Sequence, residues 1–416
     1  MCEAPTPKNG VKTHTWFHED QTANSGQAAL TNDGAENIAR HKYKPGHYTH
    51  LDTFLNPFWT YITDLLPMSM APNVVTTLGG LHCAMSYLVL WYHSPNMDQP
   101  VPDWVVAFSG FCTIAYYTFD CMDGKQARRT GNSTPLGQLF DHGFDCLCLL
   151  AHVSSTAGYL MMGGSYWYLS MQTSLQFSFF MAQWEEYYTE ILPHAMGNWF
   201  GVTEVNYGIG LFAILNSLLD REQLWLSKVK DVLIPASILE TSIIPDIVAD
   251  LEMRHFGLSM WFVSLLVLVT GSIYRVMTHE HVTKNGLYFP AVAKLITPVM
   301  ISMAPFILPK NILFNETRHI SIATGLLFSF LTKKIIVFSM AKMTYAAFQF
   351  EALPLFATFL WIRFDSKITE EGASLILSGL SIWYVYRMLS WVSRAIDQIC
   401  KRLGIKCFNI QHSKKE

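Results

Sequence analysis

The sequence places four aspartates at regular spacing in and beside two apolar segments. Asp120 and Asp123 are three residues apart, and Asp141 and Asp145 are four residues apart. At these spacings the two side chains of each pair share one face of a helix. Four converging carboxylates repel one another unless cations neutralise them, and oxygen ligands alone favour hard cations such as Mg²⁺ or Mn²⁺. The pattern therefore predicts a site for two metal ions that hold a phosphoryl group during in-line displacement.

The residues around these aspartates are small or basic. Small residues on the aspartate faces allow a ligand or a second helix to approach the backbone closely; they are Gly124, Ala127 and Gly137. Positive side chains in the connecting segment suit a phosphorylated substrate; they are Lys125, Arg128 and Arg129.

The composition indicates that membrane helices position this cluster. Of the 416 residues, 50% are hydrophobic and only 15% are charged, whereas soluble domains carry about 25% charged residues. The net charge of -3 argues against a partner made of nucleic acid. Apolar runs of about 17–25 residues can each span a bilayer, and they lie near 72–92, 104–120, 141–162, 165–184, 204–219, 257–275, 287–308, 320–340, 347–362 and 374–393. The chain is thus predicted to be an all-α polytopic membrane bundle of about ten transmembrane helices.

The remaining segments predict the domain organisation and the orientation. Residues 1–46 are polar and are expected to form a flexible cytosolic tail, 47–393 a membrane catalytic domain around the motif at 120–145, and 394–416 a basic cytosolic tail. Between these, the three-to-four spacing of apolar residues over 48–67 predicts an N-terminal amphipathic helix, which lies in the membrane interface or packs against the protein body. Lys and Arg in the loop after the second span and after the tenth place both termini and the aspartates in the cytosol. Of the sequons at Asn132 and Asn315, only the second then faces the lumen.

The spacing D-x2-D-G-x2-A-R-x8-G-x3-D-x3-D resembles the signature of the CDP-alcohol phosphotransferase family. The longer segments DGKQARRT and PLGQLFDHG resemble the corresponding segments of the eukaryotic choline/ethanolamine phosphotransferases. The same is true of KYKPGHYTHLD, NPFW, APN and WEEYYTEIL. The resemblance covers residues 42–400 and is weakest over 220–256.

This resemblance implies roles for particular residues. The metal ligands would be Asp120, Asp123, Asp141 and Asp145, with two Mg²⁺ or Mn²⁺ ions as cofactors. The CDP-alcohol would contact Asn73 and Arg128 and occupy the room left by Gly124 and Ala127. The catalytic group would comprise His142, Glu204 and Asp145.

Two of these roles also have a physical argument or a structural alternative. His142 is the candidate proton acceptor, since a carboxylate bound to two metals is a poor base and imidazole is matched to neutral pH. Glu204 would orient His142, or it could cap the helix that begins there. Asn73 could likewise cap the first span instead of contacting the nucleotide.

The reaction implied by the resemblance transfers phosphoethanolamine and/or phosphocholine from a CDP-alcohol to diacylglycerol. The resemblance also implies a homodimer in the endoplasmic reticulum or Golgi membrane. The alternatives are a family member that uses another alcohol, such as inositol, and a cation-coupled membrane transporter. Two further features keep two interpretations each. The aromatic and acidic run at 184–188 could bind an aminoalcohol or form an interfacial belt. Lys333 and Lys334 could face the interior, snorkel or meet a lipid phosphate.

Overall fold

A computed structural model describes residues 16, 28–42, 44, 46–235 and 244–410. Almost all of the regular structure is helical, and one short antiparallel ribbon pairs β1 with β2. The elements are α1 Asn32–Arg40, α2 His50–Asp64, α3 Pro72–His93, α4 Asp103–Arg129, α5 Pro135–Tyr159, α6 Tyr166–Thr189, β1 Ala195–Met196, β2 Phe200–Gly201, α7 Val202–Asn216, α8 Arg221–Leu226, α9 Val229–Val232, α10 Asp246–Ala249, α11 Met253–Thr278, α12 Glu280–Asn285, α13 Tyr288–Ala293, α14 Ile296–Met303, α15 Lys310–Asn315, α16 Thr317–Ala341, α17 Leu353–Phe364 and α18 Glu370–Leu403, with 3₁₀ turns at Ala304–Ile307 and Phe350–Ala352.

The helices identify a polytopic membrane protein. Within the described residues, six helical segments are long and apolar enough to cross a bilayer: α3, α4, α11, the stretch from α13 to Ile307, α16 and α18. The other four predicted spans are helical as well, but α7 and α17 have only 15 and 12 residues. Helices α5 and α6 are long enough, yet polar side chains replace apolar ones inside the bundle, so their mean hydropathy falls. The membrane bundle is therefore confirmed, whereas the count of ten spans stays a prediction.

Helices α4 and α5 form a hairpin that sets the two aspartate pairs opposite each other. Helix α4 continues nine residues past the predicted end of its span at 120, so the basic residues expected in a loop lie on the helix. The turn uses Gly131 at φ +69°, a left-handed conformation that glycine adopts without strain. Thr134 then caps α5 by accepting a hydrogen bond from the Gly137 amide, and Pro135 occupies the first turn of the helix, where it needs no donor.

The polar tail predicted over 1–46 contains a packed helix. Residues 1–15, 17–27, 43 and 45 lie outside the described residues, but α1 lies between these gaps and buries Ile38 together with the preceding Leu30. Gln398 of α18 accepts hydrogen bonds from the amides of Ala29 and Leu30. The expectation of a flexible tail therefore does not hold for residues 29–40, because a short amphipathic stretch was hidden in a polar composition.

The C-terminal tail predicted from 394 also begins inside regular structure. Helix α18 runs without a break to Leu403, and Gly404 ends it at φ +67°. Arg402 forms an ion pair with Glu36 of α1. The two terminal segments therefore meet at one end of the bundle, which is also the end that carries the aspartates.

Helix α2 occupies the segment in which the N-terminal amphipathic helix is expected. Its inner face buries Trp59, whose indole N–H donates to the Tyr207 hydroxyl of α7 at 2.9 Å. Its outer face leaves large apolar side chains exposed; they are Phe54, Phe58, Tyr61 and Leu65. The helix therefore packs on the body with one face, while its position in the membrane interface stays a prediction.

Candidate active site

Three of the four aspartates converge between α4 and α5. One carboxylate oxygen each of Asp120, Asp141 and Asp145 lies within 4.8 Å of the others. The Tyr116 hydroxyl donates to Asp145 Oδ1 at 2.5 Å, and Asp141 Oδ1 is buried without a hydrogen-bond partner among the described residues. A half-buried, partly unsatisfied set of hard oxygen donors fits a divalent cation such as Mg²⁺ or Mn²⁺.

Asp123, the fourth aspartate of the motif, lies on the neighbouring turn of α4, outside the group whose oxygens converge within 4.8 Å. Its side chain is 6% exposed, and the Thr76 hydroxyl of α3 donates a hydrogen bond to its Oδ2. This bond orients the carboxylate of Asp123 from the neighbouring helix. Thr76 therefore positions Asp123, and its role was not foreseen from the sequence.

A cavity of about 590 Å³ opens above the aspartates. The sequence-predicted residues that line it are Asn73, Asp120, Asp123, Gly124, Ala127, Arg128, Gly137, Asp141, His142 and Asp145. Both halves of the motif therefore face the same cavity, as the helical spacing of each aspartate pair predicts.

Of the three basic side chains near the motif, only Arg128 is available to a ligand. Lys125 donates to Asn56 and Thr60 of α2, and Arg129 donates to backbone carbonyls at the end of α2. Arg128 lines the cavity and has no protein acceptor among the described residues. Its guanidinium can therefore bind phosphate oxygens in the bidentate geometry that arginine favours.

Asn73 faces the cavity but already has a partner. Its amide donates to the backbone carbonyl of Cys407 at 2.7 Å. It does not cap α3, because Ala71 occupies the cap position without a side-chain hydrogen bond. The C-terminal residues after Gly404 therefore form part of the cavity wall, and contact of Asn73 with a nucleotide stays a prediction that requires its side-chain oxygen or a movement of this segment.

His142 lines the cavity, and among the described residues no hydrogen bond or ion pair joins it to Glu204. The Nε2 atom of His142 is 3.9 Å from Asp141 Oδ2. Glu204 lies in the first turn of α7, and its Oε2 has no hydrogen-bond partner among the described residues. The role of Glu204 in orienting His142 therefore stays a prediction that requires a change of side-chain position.

Two histidines outside the motif also line the cavity. His194, in the segment between α6 and β1, interacts electrostatically with His142, and burial lowers the pKa of His194 below its ordinary value of 6.5. His41, beyond α1, has its Nε2 3.1 Å from Gln138 Oε1, and burial lowers its pKa too. Neither histidine has a spacing relation to the aspartates, so no pattern in the sequence pointed to them.

A second cavity adjoins the aspartates on the side facing α7 and α11. It measures about 260 Å³ and shares Asp120 and Asp145 with the first cavity. The remainder of its wall is largely apolar, with side chains such as Leu149, Leu175, Phe179, Leu265 and Leu268. The carboxylates thus stand between a polar space and an apolar one.

The run at 184–188 is interior structure, so neither interpretation of it holds. All five side chains are buried by more than 95%, and none lines the cavities described above. Glu185 forms a bidentate ion pair with Arg275 of α11 at 2.6 and 2.9 Å. The rings of Tyr187 and Tyr188 face the protein's own Lys294, whose Nζ lies 5.7 and 5.9 Å from their centres.

Comparisons with known proteins agree with this site. A sequence model of the family described as CDP-alcohol phosphatidyltransferase matches residues 69–227, which include the whole aspartate motif. The chain is 29% identical over 401 residues to an uncharacterised class-I member of that family from Dictyostelium discoideum, with 92% of this chain and 98% of the relative covered. It is 27% identical to choline/ethanolaminephosphotransferase 1 of Arabidopsis thaliana over 91% of this chain and 98% of that protein. Over a shorter stretch, 36% of this chain and 41% of the relative, it is 40% identical to ethanolaminephosphotransferase 1 of Mus musculus.

Proposed function

We propose that this protein, a transferase that carries a CDP-alcohol phosphatidyltransferase domain, transfers phosphoethanolamine and/or phosphocholine from a CDP-alcohol to diacylglycerol. The products are phosphatidylethanolamine and/or phosphatidylcholine, together with CMP. The observation that carries this proposal is the convergence of three carboxylates within 4.8 Å, at the junction of a polar and an apolar cavity. The named plant and mouse relatives support the choice of head group.

The carboxylates would hold two divalent ions, Mg²⁺ or Mn²⁺. Asp120, Asp141 and Asp145 supply the converging oxygens, and Asp123, which Thr76 orients, adds a further oxygen. When bound, such ions neutralise the diphosphate and stabilise the charge on the leaving nucleotide.

The polar cavity would take the CDP-alcohol. Arg128 binds its phosphate oxygens, Gly124 and Ala127 leave room for the nucleotide, and Asn73 contacts it on the α3 side. Since Arg128 alone among the nearby basic residues of α4 lacks a protein acceptor among the described residues, it is the natural phosphate contact.

The apolar cavity would take the acyl chains of diacylglycerol, which arrives sideways from the bilayer. Its free hydroxyl then lies beside Asp145 and His142. His142 accepts the hydroxyl proton as the oxygen forms a bond to the β-phosphorus. The bond from the β-phosphorus to the bridging oxygen breaks, and CMP leaves with that oxygen.

The membrane location is part of the same proposal. We place the protein in the endoplasmic reticulum or Golgi membrane as a homodimer, with both termini and the site in the cytosol, where soluble CDP-alcohols are available. The contact between α1 and α18 at the site end of the bundle supports a common side for the termini.

The experiment is a parallel assay of the purified protein with diacylglycerol and Mn²⁺. CDP-ethanolamine, CDP-choline and CDP-inositol are supplied separately, and lipid product and CMP are both quantified. We expect equal amounts of phospholipid and CMP from one or both of the first two donors, and none from an Asp145→Ala variant. Product only from CDP-inositol would favour the alternative alcohol, and no CMP from any donor would overturn the enzyme proposal in favour of a transporter.

A further inference from the structure

A third cavity lies on the other side of α5 from the second cavity, the apolar one that faces α7 and α11. It measures about 610 Å³ and is bounded by α5, α16 and α18. Most of its wall is apolar, including Phe140, Leu147, Ile336, Val337 and Ile396. None of the four aspartates lines it, so it is not part of the reaction site.

One charged group lies in the wall of this apolar space. Lys333 is 8% exposed, and its Nζ has no hydrogen-bond partner among the described residues. The adjacent Lys334 differs, because Gln349 and Glu351 accept its hydrogen bonds at 2.8 and 2.9 Å. Lys333 interacts electrostatically with Asp145 on the other side of α5, but no group among the described residues accepts a hydrogen bond from its Nζ. An ammonium group buried without an acceptor is costly, so Lys333 can take an acceptor from a bound ligand.

The cavity opens toward the lipid side of the bundle. At its rim, Tyr386 and Leu389 of α18 are 67% and 56% exposed. The wall contributed by α18 extends from Tyr386 to Ile399, a helix length of about 20 Å at 1.5 Å per residue. This exceeds the roughly 15 Å of hydrocarbon in one leaflet, so an acyl chain can lie along it.

Lys333 lies at about the same depth in the bundle as the motif aspartates of α5. It is eight residues from the end of α16 at Ala341, or about 12 Å into the helix. On the adjoining α5, Asp141 and Asp145 lie about 9 and 15 Å from the helix start by the same measure. The Lys333 side chain would be 3.9 Å from a Cβ at Gly143, between those two aspartates.

We propose that this cavity binds one glycerophospholipid, with acyl chains against α18 and the phosphate accepting a hydrogen bond from Lys333. The apolar wall accounts for the chains, and the ammonium without an acceptor accounts for the anionic group. Diacylglycerol has no charge to offer Lys333, so the lipid bound here differs from the acceptor of the reaction.

Native mass spectrometry of the detergent-purified full chain tests this proposal. Palmitoyl-oleoyl phosphatidylglycerol is titrated against the wild type, a Lys333→Met variant and the matched control Lys367→Met, whose lysine is exposed. Because hydrogen bonds to charged groups are strong, we expect binding to weaken about tenfold or more in Lys333→Met only. Diacylglycerol with the same chains should bind to this cavity at least tenfold more weakly than the phospholipid.

A second measurement locates the lipid. Phosphatidylglycerol carrying a photoreactive group in one acyl chain should label peptides of α18 between Tyr386 and Ile399. Equal phospholipid affinity in the wild type and Lys333→Met would overturn the proposal, as would labelling confined to α11 or protection of α18 by a second copy of the chain. Both measurements read binding without turnover, so inactivity toward every CDP-alcohol leaves their outcome interpretable.

Discussion

Replacing Thr76 by Val isolates the contribution of one hydrogen bond to the aspartate site. Thr76 and Asp123 are both 6% exposed, and the threonine hydroxyl donates to Asp123 Oδ2. Valine keeps the branched shape of threonine and removes only this donor. The carboxylate of Asp123 remains in place, but one of its oxygens loses the bond that orients it.

The expected magnitude follows from the burial of this pair. A hydrogen bond to a charged group contributes about 1.5–3 kcal/mol, and loss of a partner behind a metal ligand weakens metal binding roughly 10- to 100-fold. A loss of about 2 kcal/mol corresponds to about a 30-fold change in affinity. We therefore expect the Mn²⁺ concentration at half-maximal turnover to rise about 30-fold, with much of kcat restored at saturating Mn²⁺.

The assay is phospholipid formation as a function of Mn²⁺ in the wild type, Thr76→Val and Thr77→Val. Thr77 is the matched control, since it is the next residue of α3 and its hydroxyl bonds only to the Asn73 carbonyl of its own helix. An unchanged Mn²⁺ dependence in Thr76→Val, or an equal shift in Thr77→Val, would refute the assignment of Asp123 as a metal ligand supported by Thr76.

Three further changes test other contacts. Tyr116→Phe removes the 2.5 Å bond to Asp145, and a Mn²⁺ titration of turnover should show metal affinity lowered about tenfold; an unshifted curve would contradict this. Arg275→Met leaves Glu185, 5% exposed, without its partner, so thermal unfolding should show a loss of about 3 kcal/mol that Glu185→Gln in the same chain partly restores; equal stability of the single and double variants would count against it. Because burial lowers the pKa of His194, protons bind the unfolded chain more readily than the native one below pH 6.5, so stability should fall as pH drops from 7 to 5.5, and less steeply in His194→Asn; parallel pH profiles would disprove this role.

The local spacing of the motif was enough to predict how its aspartates meet. Asp120 and Asp141 are far apart in sequence but close in space, because each pair follows the helical repeat and a short turn around Gly131 joins the two helices. The small residues Gly124 and Ala127 follow the same repeat, and they line the cavity as expected. Periodicity is sufficient here because both halves of the site lie on one helical hairpin.

What the sequence could not supply are the contacts between distant segments. The bond from Asn73 to Cys407 joins α3 to a segment more than 300 residues later, and no composition or spacing signals it. The same is true of His194 beside His142. In the 184–188 run, Glu185 was a candidate ligand contact. It is instead buried, and Arg275 neutralises its charge within the bundle.

The number of membrane spans could not be predicted from hydropathy alone. Helices α5 and α6 lie inside the bundle and carry buried polar side chains, including Gln172 and Gln176. Neither helix is therefore apolar enough to be recognised as a membrane span from its mean hydropathy, although both are long enough. Burial alone does not lower hydropathy, since α16 is almost wholly buried and is still apolar enough to cross a bilayer. The difference is that most side chains buried by α16 are apolar.

Electron paramagnetic resonance of Mn²⁺ bound to the purified protein tests the central claim most directly. We expect two Mn²⁺ ions per chain, close enough for their spins to couple, and loss of the coupled signal in Asp141→Asn without loss of the fold. A wild-type protein that binds no Mn²⁺, or an Asp141→Asn variant with the same coupled signal, would contradict the assignment of these four aspartates as the metal site.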